Sequence, residues 1–267
     1  MSDRCPIRHI LSLSGGKDST ALAVYMRDRV PEMEYVFMDT GEELPETYEY
    51  IEKLEAYLGR PIVRLRRNDV TFEDLLKARG GFLPSPMVRW CTQQLKIIPF
   101  ELYVGDELCY NYVGIRADEA QRKGYISSKP NIIARYPFIE DGITKDDVLR
   151  ILDESGLGLP DYYRWRTRSG CYFCFFQQKI EWVGLLENHP QLFERAAQYE
   201  KIDPVTGKRY TWVRRESLRE LARPERIAQI KAEWEKQQAQ RPFRSNRRLL
   251  DVFGSEEEED ACLICRL

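Results

Sequence analysis

The chain is expected to fold as an α/β protein, a doubly wound, mostly parallel sheet with a mostly helical C-terminal extension. Three observations carry that expectation. Apolar strand-like runs alternate with helix-like runs over the first third of the sequence. Polar and charged residues gather at the carboxyl ends of the strand-like runs, where open parallel sheets bind ligands. From Pro190 onward the alternation gives way to a turn-rich segment and long polar helical runs.

A chain of 267 residues can bury one good core and carry an appendage, and 43% hydrophobic with 31% charged residues is a globular composition. No apolar run is long enough to span a bilayer, and Met1-Ser2-Asp3-Arg4-Cys5 lacks the apolar region of a signal peptide. A cytoplasmic protein with no membrane partner is therefore expected. Seven cysteines in that compartment point to metal or redox chemistry rather than a disulfide scaffold. The two histidines, His9 and His189, exclude a multi-histidine metal site. His9 reads as a strand residue and His189, before Pro190, as a helix cap. The net charge of −2 selects no partner. Three regions are expected: 1–189 as the α/β domain, 190–250 as a basic hairpin and helical region, and 251–267 as an acidic, cysteine-bearing tail.

Taken in order, residues 8–13 read as a strand and 17–29 as a helix. Between them Ser14-Gly15-Gly16-Lys17-Asp18-Ser19 lets the backbone turn sharply and aim several N–H groups at one anion. The helix N-terminus behind it and Lys17 add positive charge, so this loop is a phosphate cradle. Its spacing is not the G-x-x-x-x-G-K-[ST] of P-loop proteins. Residues 35–38 read as a second strand and 45–58 as a second helix with Pro45 near its start. Asp39-Thr40-Gly41 lies between them, where a carboxylate can hold magnesium or a ribose hydroxyl. A third strand at 61–66 precedes a helix at 71–79, and 80–90 is a loop. A helix follows at 92–104, then a strand at 110–116 ending in Gly114-Ile115-Arg116. Thr144 caps a helix running to about Glu154. Asp203-Pro204 and Thr206-Gly207-Lys208 mark a hairpin whose second strand is 210–213, and 216–238 reads as helix, interrupted at Pro224.

The S-G-G-K-D-S string resembles the pyrophosphate loop of the adenine-nucleotide alpha-hydrolase superfamily. D-T-G-x-x-x-P-E-T-Y, from Asp39 to Tyr48, and V-G-I-R-A-D-E, from Val113 to Glu119, resemble the second and third signatures of its phosphoadenosine-phosphosulfate (PAPS) reductase branch. The resemblance covers about residues 8–180. It implies an adenine nucleotide, ATP or PAPS, held by Ser12, Ser14, Gly15, Gly16, Lys17, Asp18, Ser19, Asp39, Thr40, Gly41, Gly114 and Arg116. Magnesium (Mg2+) is expected at Asp18 or Asp39, with Lys17, Asp18 and Arg116 as catalytic residues. Shared superfamily chemistry implies attack on the α-phosphorus of ATP with loss of pyrophosphate. For Arg116 the alternative is a salt bridge with Asp118 or Glu119.

Cys171-Tyr172-Phe173-Cys174 is the second organising motif, because C-x-x-C places two sulfurs within reach of one metal, cluster or disulfide. Cys91, opening a helix beside the nucleotide loops, is the third candidate ligand. Cluster-bearing sulfonucleotide reductases look similar but carry a cysteine pair where this chain has Cys91 alone. A 4Fe–4S cluster is the expected group, with zinc as the alternative. The fourth ligand is expected from the tail as Cys262, or is missing as in tRNA-thiolating relatives. Cys265 is the expected near-terminal thiol that attacks a sulfonate or carries a persulfide. The tail lacks the Glu-Cys-Gly-Leu/Ile-His segment of true PAPS reductases. Cys5 is not expected in the site, and Cys109 reads as a buried free thiol.

The resulting expectation is an ATP pyrophosphatase with an iron–sulfur site that transfers sulfur to a nucleic acid or small acceptor. Its donor would be a cysteine desulfurase or thioredoxin-like protein, and its assembly a homodimer. The alternatives are a thioredoxin-linked PAPS or APS reductase and a non-catalytic nucleotide-binding subunit. The resemblance also places such proteins with DNA phosphorothioation and with defence systems, including CRISPR-associated ones. Tyr210, Trp212 and Trp234 among the basic residues of 191–249 suit a polyanion.

Overall fold

Parallel pairing of the apolar runs produces the sheet. β1 (Arg8–Leu13) leads into α1 (Lys17–Met26), then β2 (Glu34–Met38), α2 (Pro45–Leu58), β3 (Ile62–Leu65) and α3 (Phe72–Ala78). Next come α4 (Trp90–Thr92), a π-helical turn at Gln93–Ile97, α5 (Ile98–Val104), β4 (Cys109–Tyr112) and β5 (Ile132–Arg135). α6 (Pro137–Glu140) and α7 (Lys145–Glu154) complete the covering of the sheet. The computed structural model describes residues 7–121, 127, 129–203 and 205–240.

The five strands lie in the order β3-β2-β1-β4-β5 and every pair is parallel. The chain therefore winds outward one way from β1 and then reverses to β4. That reversal opens a crevice at the carboxyl ends of β1 and β4. Both faces of the sheet are covered, as the near-continuous apolar strands require. On one face Leu11, Leu13 and Phe37 pack with Leu22, Ile51, Leu54 and Val148. On the other, Ile10, Val36 and Met38 pack with Ile97, Phe100 and Val104.

A third core lies beyond the sheet. α8 (Lys179–Asn188), α9 (Pro190–Gln198), the hairpin β6 (Lys201–Ile202) and β7 (Arg209–Tyr210), α10 (Leu218–Leu221) and α11 (Pro224–Gln240) follow in sequence. Trp182, Phe193, Trp212, Leu218 and Ile230 pack with Phe72 of α3, Trp90 and Phe173. The rings of Phe173 and Trp212 stack at 5.2 Å, and Phe72 meets Phe173 at 4.2 Å. Residues on both sides of 189/190 thus share one core with the segment around the C-x-x-C motif.

Several elements differ from the sequence reading for identifiable reasons. The first helix ends at Met26 rather than near Arg29. The helix expected at 92–104 begins at Trp90 and widens into the π turn just before Pro99. A proline inside a helix has no N–H and crowds the carbonyl four residues back, and a wider turn relieves both. The fourth strand stops at Tyr112, so Gly114-Ile115-Arg116 is loop. β5 was not anticipated: it is four residues long and half exposed, with Ile133 at the surface. The second hairpin strand is Arg209–Tyr210, leaving Trp212 free to enter the core. The break at Pro224 is present, and the Thr144 cap is a full capping box with Asp147. His189 joins α8 to α9, but its imidazole does not cap. Its Nε2 lies 2.7 Å from Glu46 Oε1 instead. Pro190 brings no N–H to the start of α9, which leaves that end with fewer donors to satisfy.

Candidate nucleotide site

Gly15 adopts φ +70, a left-handed conformation that permits the turn out of β1. The turn then delivers Gly16 as the residue before α1. The loop is closed by its own hydroxyls. The Ser14 amide donates to Ser19 Oγ at 3.2 Å, and the two hydroxyls lie 3.1 Å apart. β4 ends against it: a Cβ on Gly114 would come 2.9 Å from the Asp18 carbonyl oxygen, so only glycine permits this approach.

The recess at the loop brings together Ser14, Gly16, Asp18 and Ser19 with Tyr163, Arg168 and Ser169. The last three arrive from the segment leading into C-x-x-C, and sequence reasoning missed them. That segment is fastened to the loop. Tyr162 donates to the Gly15 carbonyl at 2.7 Å, the Lys17 amide donates to the Tyr163 hydroxyl at 3.2 Å, and Ser169 donates to Ser14 at 3.1 Å. A Tyr-Tyr pair before a cysteine motif was a visible signal, but nothing in it indicated its target about 147 residues earlier.

Arg116 is buried, not a surface residue. Its guanidinium reaches Asp18 at 2.9 Å, Asp118 at 3.0 Å and Glu119 at 2.5 Å. Asp18 also faces the Lys17 ammonium at 3.5 Å. Arg116 makes the local ion pairs that were the alternative reading, and it meets the phosphate loop through Asp18. With its carboxylate set between two cations, Asp18 orients Lys17 and Arg116.

Asp39, Thr40 and Gly41 do not line this recess. Asp39 Oδ1 accepts from the Gly41 amide and the Tyr48 hydroxyl, both at 2.8 Å, so that oxygen shapes the turn. Arg66 packs against Gly41. Ser12 is buried in the sheet, where it donates to Asn111 at 2.8 Å. His9 Nδ1 lies 2.7 Å from the Tyr112 hydroxyl, a structural contact within the sheet.

Thr40 turns toward the cysteines. Its Oγ1 lies 3.2 Å from Cys171 Sγ and donates to Glu43 at 2.9 Å. Glu43 stands 3.8 Å from Cys171 Sγ and 3.8 Å from the buried Lys96 ammonium, which the π turn carries. Burial pushes the Cys171 thiol well up, the Glu43 charge raises it further, and Lys96 lowers it. The C-x-x-C turn closes with the Cys174 amide donating to the Cys171 carbonyl at 3.0 Å. A fully buried Arg166 holds the turn by donating to the Gly170 and Cys171 carbonyls at 3.0 and 2.9 Å.

Among the described residues, no three Cys, His, Asp or Glu side chains form a group able to hold a metal. Cys91 and Cys171 both pack at the edge of the third core. The carboxylate beside Cys171 also opposes the thiolate that a metal requires. Cys5, Cys262 and Cys265 lie outside the described residues, as do Arg241, Arg244, Arg247 and Arg248. Cys109 is a buried free thiol, pushed up to about 12 by its burial. In the C-terminal region Trp212 is buried and donates to the Ala196 carbonyl, while Arg219, Arg226 and Lys231 pair with Glu194, Glu216 and Glu187. No helix among the described residues is long and apolar enough to cross a membrane.

A glycine-turned loop at the reversal point of a parallel sheet thus faces a recess of hydroxyls and one arginine. Residues 8–152 match the phosphoadenosine phosphosulfate reductase domain, more than half of the chain, and the protein belongs to that family. An uncharacterised protein of Methanocaldococcus jannaschii is 26% identical over 199 residues, which cover 70% of this chain and 40% of that one. A nin-region protein of Escherichia phage lambda is 26% identical over 249 residues, covering 80% of this chain and 79% of its own length. The chain spans less than half the length of the Methanocaldococcus relatives it matches. Among solved structures, the PAPS reductase of Candida auris shares the fold with a TM-score of 0.52 at 15% identity, covering 64% of this chain and 84% of that one. The U34-tRNA thiolase of Methanococcus maripaludis, solved with its 4Fe–4S cluster, has a TM-score of 0.39 at 17% identity. It covers 70% of this chain and 68% of its own.

Proposed function

We propose that the protein cleaves ATP between the α and β phosphates and uses the resulting adenylate to prepare an acceptor for sulfur transfer. One observation carries this reading: the glycine loop and the segment leading into the cysteines form a single recess, tied at Ser14–Ser169. Phosphate chemistry and thiol chemistry are thereby joined within a few residues.

In this reading the substrate is magnesium-ATP. An acceptor carbonyl oxygen attacks the α-phosphorus, and the bond to the bridging oxygen breaks with its electron pair leaving on pyrophosphate. Backbone N–H groups at the start of α1, with the hydroxyls of Ser14, Ser19 and Ser169, receive the departing group, and Lys17 offsets its charge. Sulfide then attacks the adenylated carbon, and AMP leaves with the former carbonyl oxygen; where a donor protein's persulfide attacks instead, a second thiol opens the resulting disulfide, freeing the thiolated acceptor and leaving the donor as a mixed disulfide. The acceptor is a carbonyl-bearing nucleic acid or small molecule.

The family match favours a second reading, reduction of PAPS with release of sulfite. Anaerobically purified protein, assayed for iron and by absorption spectroscopy, is incubated with ATP or PAPS while AMP, pyrophosphate and sulfite are followed. Pyrophosphate with AMP from ATP supports the first reading. Sulfite from PAPS without ATP turnover replaces it with the second. Binding of ATP with neither product, whatever acceptor is added, leaves a nucleotide-binding subunit.

A further inference from the structure

Lys17 and Arg116 both face Asp18, and Arg116 also meets Asp118 and Glu119. Neither cation lines the recess itself, whose one carboxylate is Asp18. A charge brought into a partly dry site is screened poorly, so a pyrophosphate group there calls for a cation that faces it.

Arg168 is that cation. It lines the recess together with Ser14, Gly16, Asp18 and Ser19 of the loop, and no carboxylate lies within ion-pair distance of it among the described residues. Its guanidinium carbon lies 5.3 Å from the centroid of the Phe176 ring. Its Nε is buried and has no hydrogen-bond partner, a costly arrangement that an incoming anion's oxygen would relieve. Other nearby arginines do not qualify. Arg66 packs against Gly41 and does not line the recess, and Arg166 is committed to the Gly170 and Cys171 carbonyls. Arg168 also lies beyond residues 8–152, so family membership assigns it nothing.

We propose that Arg168 is the residue that grips the pyrophosphate portion of the nucleotide, completing the anion site that the S-G-G-K-D-S loop begins. This inference rests on the nucleotide reading above and deepens it. The guanidinium's planar fork suits two oxygens of a diphosphate, and the Phe176 ring holds its plane. Arg168 then adds its charge, from the cysteine side of the recess, to that which Lys17 supplies from the loop.

The test is titration calorimetry of the full chain with inorganic pyrophosphate and, separately, with adenosine. Wild type is compared with Arg168→Ala, Arg168→Lys and Arg89→Ala. Arg89 carries the same charge over the same Phe176 ring, at 5.5 Å, and controls for general charge loss. Arg168→Ala is expected to weaken pyrophosphate about 10- to 100-fold, the size of a lost charge-assisted contact. Arg168→Lys should recover part of that loss, Arg89→Ala should match wild type, and adenosine affinity should be the same throughout. Unchanged pyrophosphate affinity in Arg168→Ala overturns the inference while the nucleotide reading stands. Equal loss of pyrophosphate and adenosine assigns Arg168 a structural role and also overturns it. If wild type binds neither ligand, both readings fall together. Should Arg168→Ala not fold, Arg168→Gln and Arg168→Lys carry the same comparison.

Discussion

Glu42 shows how a single buried carboxyl ties stability to pH. Its burial raises its pKa to about 7, although Arg195 lies 3.1 Å away and lowers it. The folded state therefore holds the proton more tightly than the unfolded chain does, whose carboxyl titrates near its ordinary value. This contribution is fully present below the unfolded value and is lost as pH rises toward 7. Melting temperature measured from pH 4.5 to 8 should fall more steeply in wild type than in Glu42→Gln, and parallel curves would disprove this account. Arg116 offers a second test. Arg116→Met removes the buried guanidinium that Asp18, Asp118 and Glu119 share. A loss of about 3–5 kcal/mol is expected by denaturant titration, and less than about 1 kcal/mol would show that the ion network is not what holds the loop. The sequence made Arg116 visible as the end of a motif and offered Asp118 and Glu119 as partners, but hid its contact with Asp18. It hid Arg166 altogether, because an arginine in a loop ordinarily reads as solvent-exposed, whereas this one is fully buried.

At the scale of elements, the close approach of the segment after β4 to the phosphate loop is set by Gly114. Gly114→Ala places a methyl group against the Asp18 carbonyl and the Ser19 amide, which cannot yield as a flexible side chain would. An overpacking cost of about 1–3 kcal/mol is expected, with ATP affinity falling at least tenfold by calorimetry. Wild-type affinity would mean that the loop tolerates displacement. The strand ends and the Thr144 cap were readable because each rests on a local pattern: an apolar run, a glycine turn or a hydroxyl before a helix. β5 and the π turn were not. The first is too short and exposed for its periodicity to register. The second arises where Pro99 meets the demand to present Lys96 to Glu43, a requirement set by tertiary packing.

Across the whole molecule, the C-terminal helices and the cysteine segment share the aromatic core around Phe72, Phe173 and Trp212. Trp212→Ala should cost about 3–5 kcal/mol and loosen both regions together. Hydrogen exchange should then rise in α8 and α9 and also around Cys171, whereas a change confined to the hairpin would separate them. This shared core explains how residues far apart in sequence meet at one recess: the third core fastens the Tyr162–Ser169 segment against the loop after β1. Half of the recess came from motifs legible at the sheet's edge, and the other half only from that packing.

The central claim is that this recess receives a pyrophosphate leaving group. The most direct measurement is product analysis of ATP turnover by anaerobic protein supplied with sulfide and candidate acceptors, comparing wild type with Lys17→Ala. The account expects AMP and pyrophosphate in equal amounts from wild type and at least a tenfold lower rate from the variant. ADP and orthophosphate as products, or equal rates from the two proteins, would contradict it.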